Sequence, residues 1–255
     1  MTFKRIVDKN KIPICKIMNV NIAAIDMDWL LNFTKEHITD LSGDYMCVSN
    51  VHTTVMAYED ENYRNIQNGG VMAIPDGGPL SSVGKYRGFI TMSRTTGPSY
   101  MENIFKISVK NGYKHFFYGS TENTLKKIKI HVSKNFPEVK ISGFYSPPFR
   151  QLSSSENDAV ISMINELSPD FVWVGLGAPK QEIWMAEHQG KVKGFMVGVG
   201  AAFDYLAGNI ERAPMWMQKN NLEWLYRLVQ DPKRLFRRYL NTNLKFVWHA
   251  MIKGE

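Results

Sequence analysis

The sequence predicts an α/β fold, a mostly parallel sheet with helices on both faces, and three observations carry that expectation. Short apolar runs alternate with helix-period segments along most of the 255 residues. The loops between them are short, as crossover units of a parallel sheet require. No internal repeat and no low-complexity linker interrupts the alternation. The composition, 44% hydrophobic and 22% charged, is that of a soluble chain long enough for one large core or two small domains.

Each element has its own justification. The first helix, 28–36, is opened by Asp26-Met27-Asp28 and carries the periodic residues Trp29, Leu30, Leu31 and Phe33. A strand at 45–49 runs into Ser49-Asn50-Val51-His52 before a helix over 53–67, and a strand at 70–74 runs into Pro75-Asp76-Gly77-Gly78-Pro79. After a helix at 99–110, a strand at 115–118 ends in Gly119-Ser120-Thr121, where Ser120 or Thr121 suits the N-cap of a helix over 122–134. A strand at 139–144 and a helix at 157–167 follow. The run Phe171-Val172-Trp173-Val174 lies in a strand at 170–175 that feeds a helix at 179–189, and the last strand is expected at 194–199.

Beyond Asp204 the pattern changes. Residues 216–253 read as two helices broken at Asp231-Pro232, with Trp, Tyr, Phe and Leu interleaved among basic residues. Between Glu211 and Glu255 nine Lys/Arg face four acids, so a net +5 of the chain's +7 lies in its last sixth. Aromatic and basic residues on amphipathic helices suit an in-plane membrane segment. The same residues also suit a helix pair packed on the sheet. The organisation expected is a catalytic domain over 1–204 and a helical appendage over 205–255.

Several classes are excluded. No stretch reaches the ~20 apolar residues of a membrane span, and the N-terminus lacks the apolar core of a signal peptide. Cys15 and Cys47 have no CxxC or ligand spacing, which favours a reduced, cytosolic setting. The glycine pattern of Gly175-Leu176-Gly177-Ala178-Pro179-Lys180 places Lys180 where a dinucleotide site needs its third glycine, so a nicotinamide-dependent oxidoreductase is rejected. The basic tail leaves nucleic-acid binding as a rival, disfavoured by the amphipathic spacing of the aromatics.

The candidate site lies at the carboxyl ends of the strands, where open parallel sheets bind ligands. Gly175 and Gly177 let the chain turn sharply, Pro179 suits a first helical position, and Lys180 and Gln181 add donors to an anion-ready helix start. The turn Gly119-Ser120-Thr121 offers a second such start, and two together suggest a diphosphate. Asp76 can act as general base or cap the next helix. Asn50 can bind substrate or cap. The Asp26/Asp28 pair is read as a helix start, and no His, Asp or Glu cluster offers a metal site.

The longer motifs carry a resemblance. Pro75-Asp76-Gly77, RTTGP at 94–98, VGLGAPKQE at 174–182, GVGAAFDYLAG at 198–208, RAP at 212–214, LEWLYRL at 222–228 and PKRLFRRYL at 232–240 make the chain similar to the WecG/TagA/CpsF glycosyltransferases over nearly its whole length. The resemblance implies a single Rossmann-like domain with a C-terminal membrane-directed appendage. It implies an enzyme that moves a sugar, N-acetylmannosamine being the best match, from a UDP-sugar to an undecaprenyl-diphosphate-linked acceptor at the inner face of the plasma membrane. No metal or other cofactor is expected, and a homo-oligomer is compatible with the family. Asp76 corresponds to the base, with Arg94 and Gln181 as active-site polar residues. Asn50, Gly77, Gly119, Ser120, Thr121, Tyr145, Gly175, Gly177, Pro179, Lys180, Gly200 and Asp204 are candidate substrate contacts. Arg227, Arg234, Arg237 and Arg238 are candidate lipid-diphosphate or membrane contacts. Val48 and Ser99 depart from the family pattern, where many relatives have threonine and aspartate. One base and a direct displacement imply inversion at the anomeric carbon.

Overall fold

The computed structural model describes residues 3–255, apart from the side chains of Lys219 and Arg234. Eight strands form one sheet: β1 Ile14–Ile17, β2 Val20–Ala23, β3 Tyr45–Ser49, β4 Met72–Pro75, β5 Lys114–Gly119, β6 Lys140–Tyr145, β7 Phe171–Gly175 and β8 Phe195–Gly198. Their order is β1-β2-β4-β3-β8-β7-β5-β6, and every pairing except β1 with β2 is parallel. All six expected strands form. The β1-β2 hairpin is an addition, closed by Met18 and Asn19, both with positive φ (49° and 63°).

The two-residue period of the strands divides the interior into two cores. Met46, Phe171, Trp173, Phe195 and Val197 point to one face, which is covered by α1 Met27–His37, α5 Gly97–Asn111, α6 Glu122–Asn135 and α9 Ala202–Leu206. Tyr45, Cys47, Val172, Val174 and Met196 point to the other. That face is covered by α2 Val51–Glu59, α3 Glu61–Gly69, α4 Gly78–Tyr86, α7 Ser154–Leu167 and α8 Lys180–Glu187. Because both faces are covered, the central strands are buried along their length and read as unbroken apolar runs.

Ahead of the C-terminal region two helical expectations change. The helix read over 53–67 is two helices, because Asp60 ends α2 and its carboxylate accepts from the N–H groups of Asn62 and Tyr63 to start α3. The glycine-rich stretch after Asp76 becomes α4 within two residues, with Pro79 inside its first turn.

The C-terminal region forms α10 Met215–Lys219, α11 Glu223–Gln230 and α12 Pro232–Phe246, which continues into a π-helical end, Val247–Ile252. The break at Asp231-Pro232 is where the sequence places it, but the first of the two helices expected over 216–253 is itself parted at 220–222 into α10 and α11. Helix α12 lies against α2. Leu235, Phe246 and Ala250 are buried, the last two within the same apolar cluster as β3 and β7. The opposite side keeps Phe236, Leu240, Leu244, Trp248, Met251 and Ile252 exposed. No helix among the described residues is long and apolar enough to cross a membrane.

Candidate active site

A cavity of about 800 Å3 opens at the carboxyl ends of β3, β4, β7 and β8, between the sheet and the C-terminal helices. Its lining includes Asn50, Asp76, Gly77, Arg94, Gly175, Gly177, Gln181, Gly200 and Asp204 from the body. From the C-terminal helices it includes Arg227 and Arg238. These eleven expected residues therefore converge.

Asp76 sits one residue beyond β4, and its N–H donates to the Ser49 carbonyl at 2.8 Å, which anchors the loop to the neighbouring strand. The capping alternative fails, because Gly77 is the N-cap of α4 and that cap receives no side-chain hydrogen bond. Asp76 lines the cavity instead, and its carboxyl takes a hydrogen bond from the Gly97 N–H at the start of α5. Burial pushes its pKa up, with Glu223 adding to the rise; Arg94, Arg227 and the Gly97 N–H oppose it. A carboxyl raised in this way is a stronger base than an exposed one.

Arg94 is fixed at both ends of its guanidinium. Its Nε donates to the Asp76 carbonyl at 3.0 Å, and its Nη2 pairs with Glu223 of α11. The second Glu223 oxygen accepts from the Tyr205 hydroxyl at 3.2 Å, and Arg227 lies over the Tyr205 ring, 5.8 Å from its centroid. Sequence reasoning assigned no role to Glu223 or Tyr205, although Glu223 stands inside LEWLYRL and Tyr205 inside GVGAAFDYLAG. It also passed over His52, which lines the cavity and whose pKa burial and Arg238 push down to about 4. His52 is neutral at physiological pH.

Asn50 performs the capping role the sequence allowed. Its Oδ1 accepts from the N–H groups of His52 and Thr53, and Thr53 Oγ1 returns the favour to the Asn50 N–H. Only its Nδ2 is left to serve a ligand. Gln181 is held more tightly still. Its Oε1 accepts from the Gly177 N–H at 3.2 Å, and its Nε2 donates to Glu182 at 2.8 Å and to the Gly198 carbonyl at 3.2 Å. In this state Gln181 braces the turn and its donors are committed inside the protein. Gly177 takes φ +76°, a left-handed conformation that a side chain disfavours.

Other expected contacts fall outside the cavity lining. The Gly119-Ser120-Thr121 turn lies beside the first, since Gly119 pairs with Gly175 across β5 and β7. Its Ser120 N–H is already bound to the Gly175 carbonyl, and Thr121 caps α6. Tyr145 stacks on Tyr118 at 5.7 Å at the end of the sheet. Lys180 is exposed, and Pro179 is the N-cap of α8 rather than its first helical residue. Arg237 is exposed on α12, a hundred degrees round from Arg238, and the Arg234 side chain lies outside the described residues.

Asp26 is the N-cap of α1, accepting from the Trp29 N–H at 2.8 Å, with Asp28 in the first turn. Neither lines the cavity. Among the described residues no three His, Cys, Asp or Glu side chains converge in a way that could hold a metal ion. The two departures from the family pattern lie close to the site: Val48 lines the cavity, and Ser99 accepts from Arg212 at 2.6 Å, while Glu102 supplies that arginine with a carboxylate at 3.7 Å.

The arrangement sets the carboxyl of Asp76 and several guanidinium groups around a space large enough for a nucleotide sugar. Comparison with known proteins points the same way. The chain is 27% identical over 220 residues to the N-acetylglucosaminyldiphosphoundecaprenol N-acetyl-beta-D-mannosaminyltransferase of Bacillus subtilis (strain 168), covering 86% of this chain and 84% of the relative. A protein of the same name from Bacillus spizizenii is 28% identical over 214 residues, 84% of this chain and 80% of the relative. One from Staphylococcus aureus (strain MW2) is 30% identical over 145 residues, 56% and 55% of the two chains. The model of the glycosyl transferase WecG/TagA/CpsF family matches residues 15–254. The chain belongs to that glycosyltransferase family.

Proposed function

We propose that the chain transfers N-acetylmannosamine from its UDP derivative to N-acetylglucosaminyl-diphosphoundecaprenol in the synthesis of a cell-wall or surface polysaccharide, the sugar and the acceptor being those in its relatives' names. The observation that carries the reading is Asp76, a carboxyl of raised pKa at a strand end, flanked by Arg94 and Arg227 in a cavity of nucleotide-sugar size. The acceptor hydroxyl attacks the anomeric carbon, its proton passes to Asp76, and the bond to UDP breaks. Arg94, Arg227 and Arg238 answer the charge that develops on the leaving diphosphate and hold the lipid diphosphate. A single displacement inverts the centre, and an α-linked nucleotide sugar then gives the β product in the relatives' names.

The exposed apolar side of α12 and its π-helical end, with the net +5 of the tail, supports docking of this face on an anionic membrane at the inner side of the plasma membrane. Release of UDP from a panel of UDP-sugars, with a lipid-diphosphate GlcNAc acceptor and with and without EDTA, tests the reading. UDP-N-acetylmannosamine is expected to be turned over fastest, and EDTA is expected to leave the rate unchanged. Preference for another UDP-hexose would reassign the donor, and rescue of an EDTA-silenced enzyme by Mg2+ or Mn2+ would restore a metal to the mechanism.

A further inference from the structure

The catalytic loop and the C-terminal helices meet at a small, closely fitted junction. Gly78 lies so near the turn between α10 and α11 that a Cβ there would stand 2.5 Å from Cγ and Oδ1 of Asn221. Two residues on, Glu223 opens α11, is 8% exposed, and reaches back to Arg94. Arg94 in turn holds the Asp76 carbonyl. The chain of contacts therefore runs from the base loop through Arg94 to Glu223 and Tyr205.

We propose that Glu223 is a positioning residue for the transfer reaction, neutralising Arg94 and fixing it against the Asp76 loop. The proposal rests on the transferase reading given above and adds to it a role for Glu223, which lines the same cavity and acts through Arg94.

The electrostatic consequence is specific. The charged groups facing Asp76 are Arg94 from the segment before α5 and Glu223 and Arg227 from α11, with the Gly97 N–H and the Tyr205 hydroxyl as neighbours. Across the cavity stand neutral His52 on α2 and Arg238 on α12. Arg94 and Arg227 stabilise the Asp76 carboxylate, and Glu223 opposes them. Without Glu223 the two guanidiniums act unopposed, Asp76 holds its proton less well, and it becomes a weaker base. Arg94 also loses the partner that sets its orientation.

Turnover depends on the deprotonated base, so the acid limb of the kcat profile reports Asp76 directly. Glu223→Gln keeps the size and one acceptor oxygen but removes the charge. It is expected to lower kcat by about tenfold or more through loss of alignment, to move the acid limb to lower pH, and to leave UDP affinity within about threefold because Arg94, still held by the Asp76 carbonyl, keeps its charge in the cavity. Arg94→Met removes the opposing cation while Glu223 remains, and is expected to move the limb to higher pH. The two shifts of opposite sign cannot come from a general loosening of the fold. An Arg94→Met limb that stays put would overturn the proposal even if Glu223→Gln failed to fold. So would a folded, UDP-binding Glu223→Gln enzyme with an unmoved limb or unchanged kcat. If the wild-type enzyme itself turns over none of the UDP-sugars, the transferase reading has failed instead, and that outcome is read before any variant is made.

Discussion

At the residue scale Asp76, the proposed base, is the best test of the chemistry. Asp76→Asn is expected to cut kcat by roughly a hundred- to ten-thousand-fold, the range for loss of a general base. It should also raise the melting temperature at neutral pH. Asp76 binds its proton more tightly in the folded chain than in the unfolded one. Its contribution therefore favours folding fully below the ordinary carboxylate range and is lost as pH rises through the raised value. Above that value a buried charge remains, which asparagine does not carry. A loss of both activity and thermal stability would return Asp76 to a structural role. The placement of Asp76, Arg94 and Asn50 at the cavity was legible in the sequence because each follows a strand end or lies in a long motif. Glu223 and Tyr205 were not, because their importance arises from pairing across 129 and 18 residues of chain with partners that only the fold brings near. Nor could spacing show that Ser120's N–H was already bound within the sheet.

At the scale of elements the sequence gives up the parallel sheet readily, since apolar runs covered on both faces have no other economical reading. The β1-β2 hairpin escaped because its turn is Met18-Asn19 in place of the usual Asn-Gly, and the buried Met18 looks like core in one dimension. Helix α4 escaped because Gly77, Gly78 and Pro79 signal a loop unless the proline is placed in a first turn. The junction between α4 and the α10-α11 turn yields a prediction of its own. Gly78→Ala introduces a Cβ into the Asn221 side chain and should lift the turn from the loop. Limited proteolysis within 219–223 is expected to accelerate, with kcat falling while the far-ultraviolet circular dichroism stays that of the parent. Unchanged cleavage and unchanged kcat would show that the turn simply shifts to accommodate the methyl.

For the whole molecule the question is what the exposed side of the C-terminal helices meets. Trp248 and Ile252 are 52% and 64% exposed, and both lie on the π-helical end beyond α12. Replacing both by Glu should weaken sedimentation with anionic vesicles by about tenfold or more, since each inserted apolar side chain contributes on the order of 1.5–3 kcal/mol. Soluble, truncated acceptor should still be glycosylated at close to the parental rate. Equal vesicle binding by parent and variant would remove the membrane from the account. The docked tail has one further consequence, set by thermodynamic reciprocity. If the acceptor binds between body and tail, and bilayer contact holds the tail in place, each must strengthen the other by the same factor. An enzyme with its lipid substrate bound would then leave the bilayer more slowly than an empty one, and the time it spends at the surface would be set by its own occupancy.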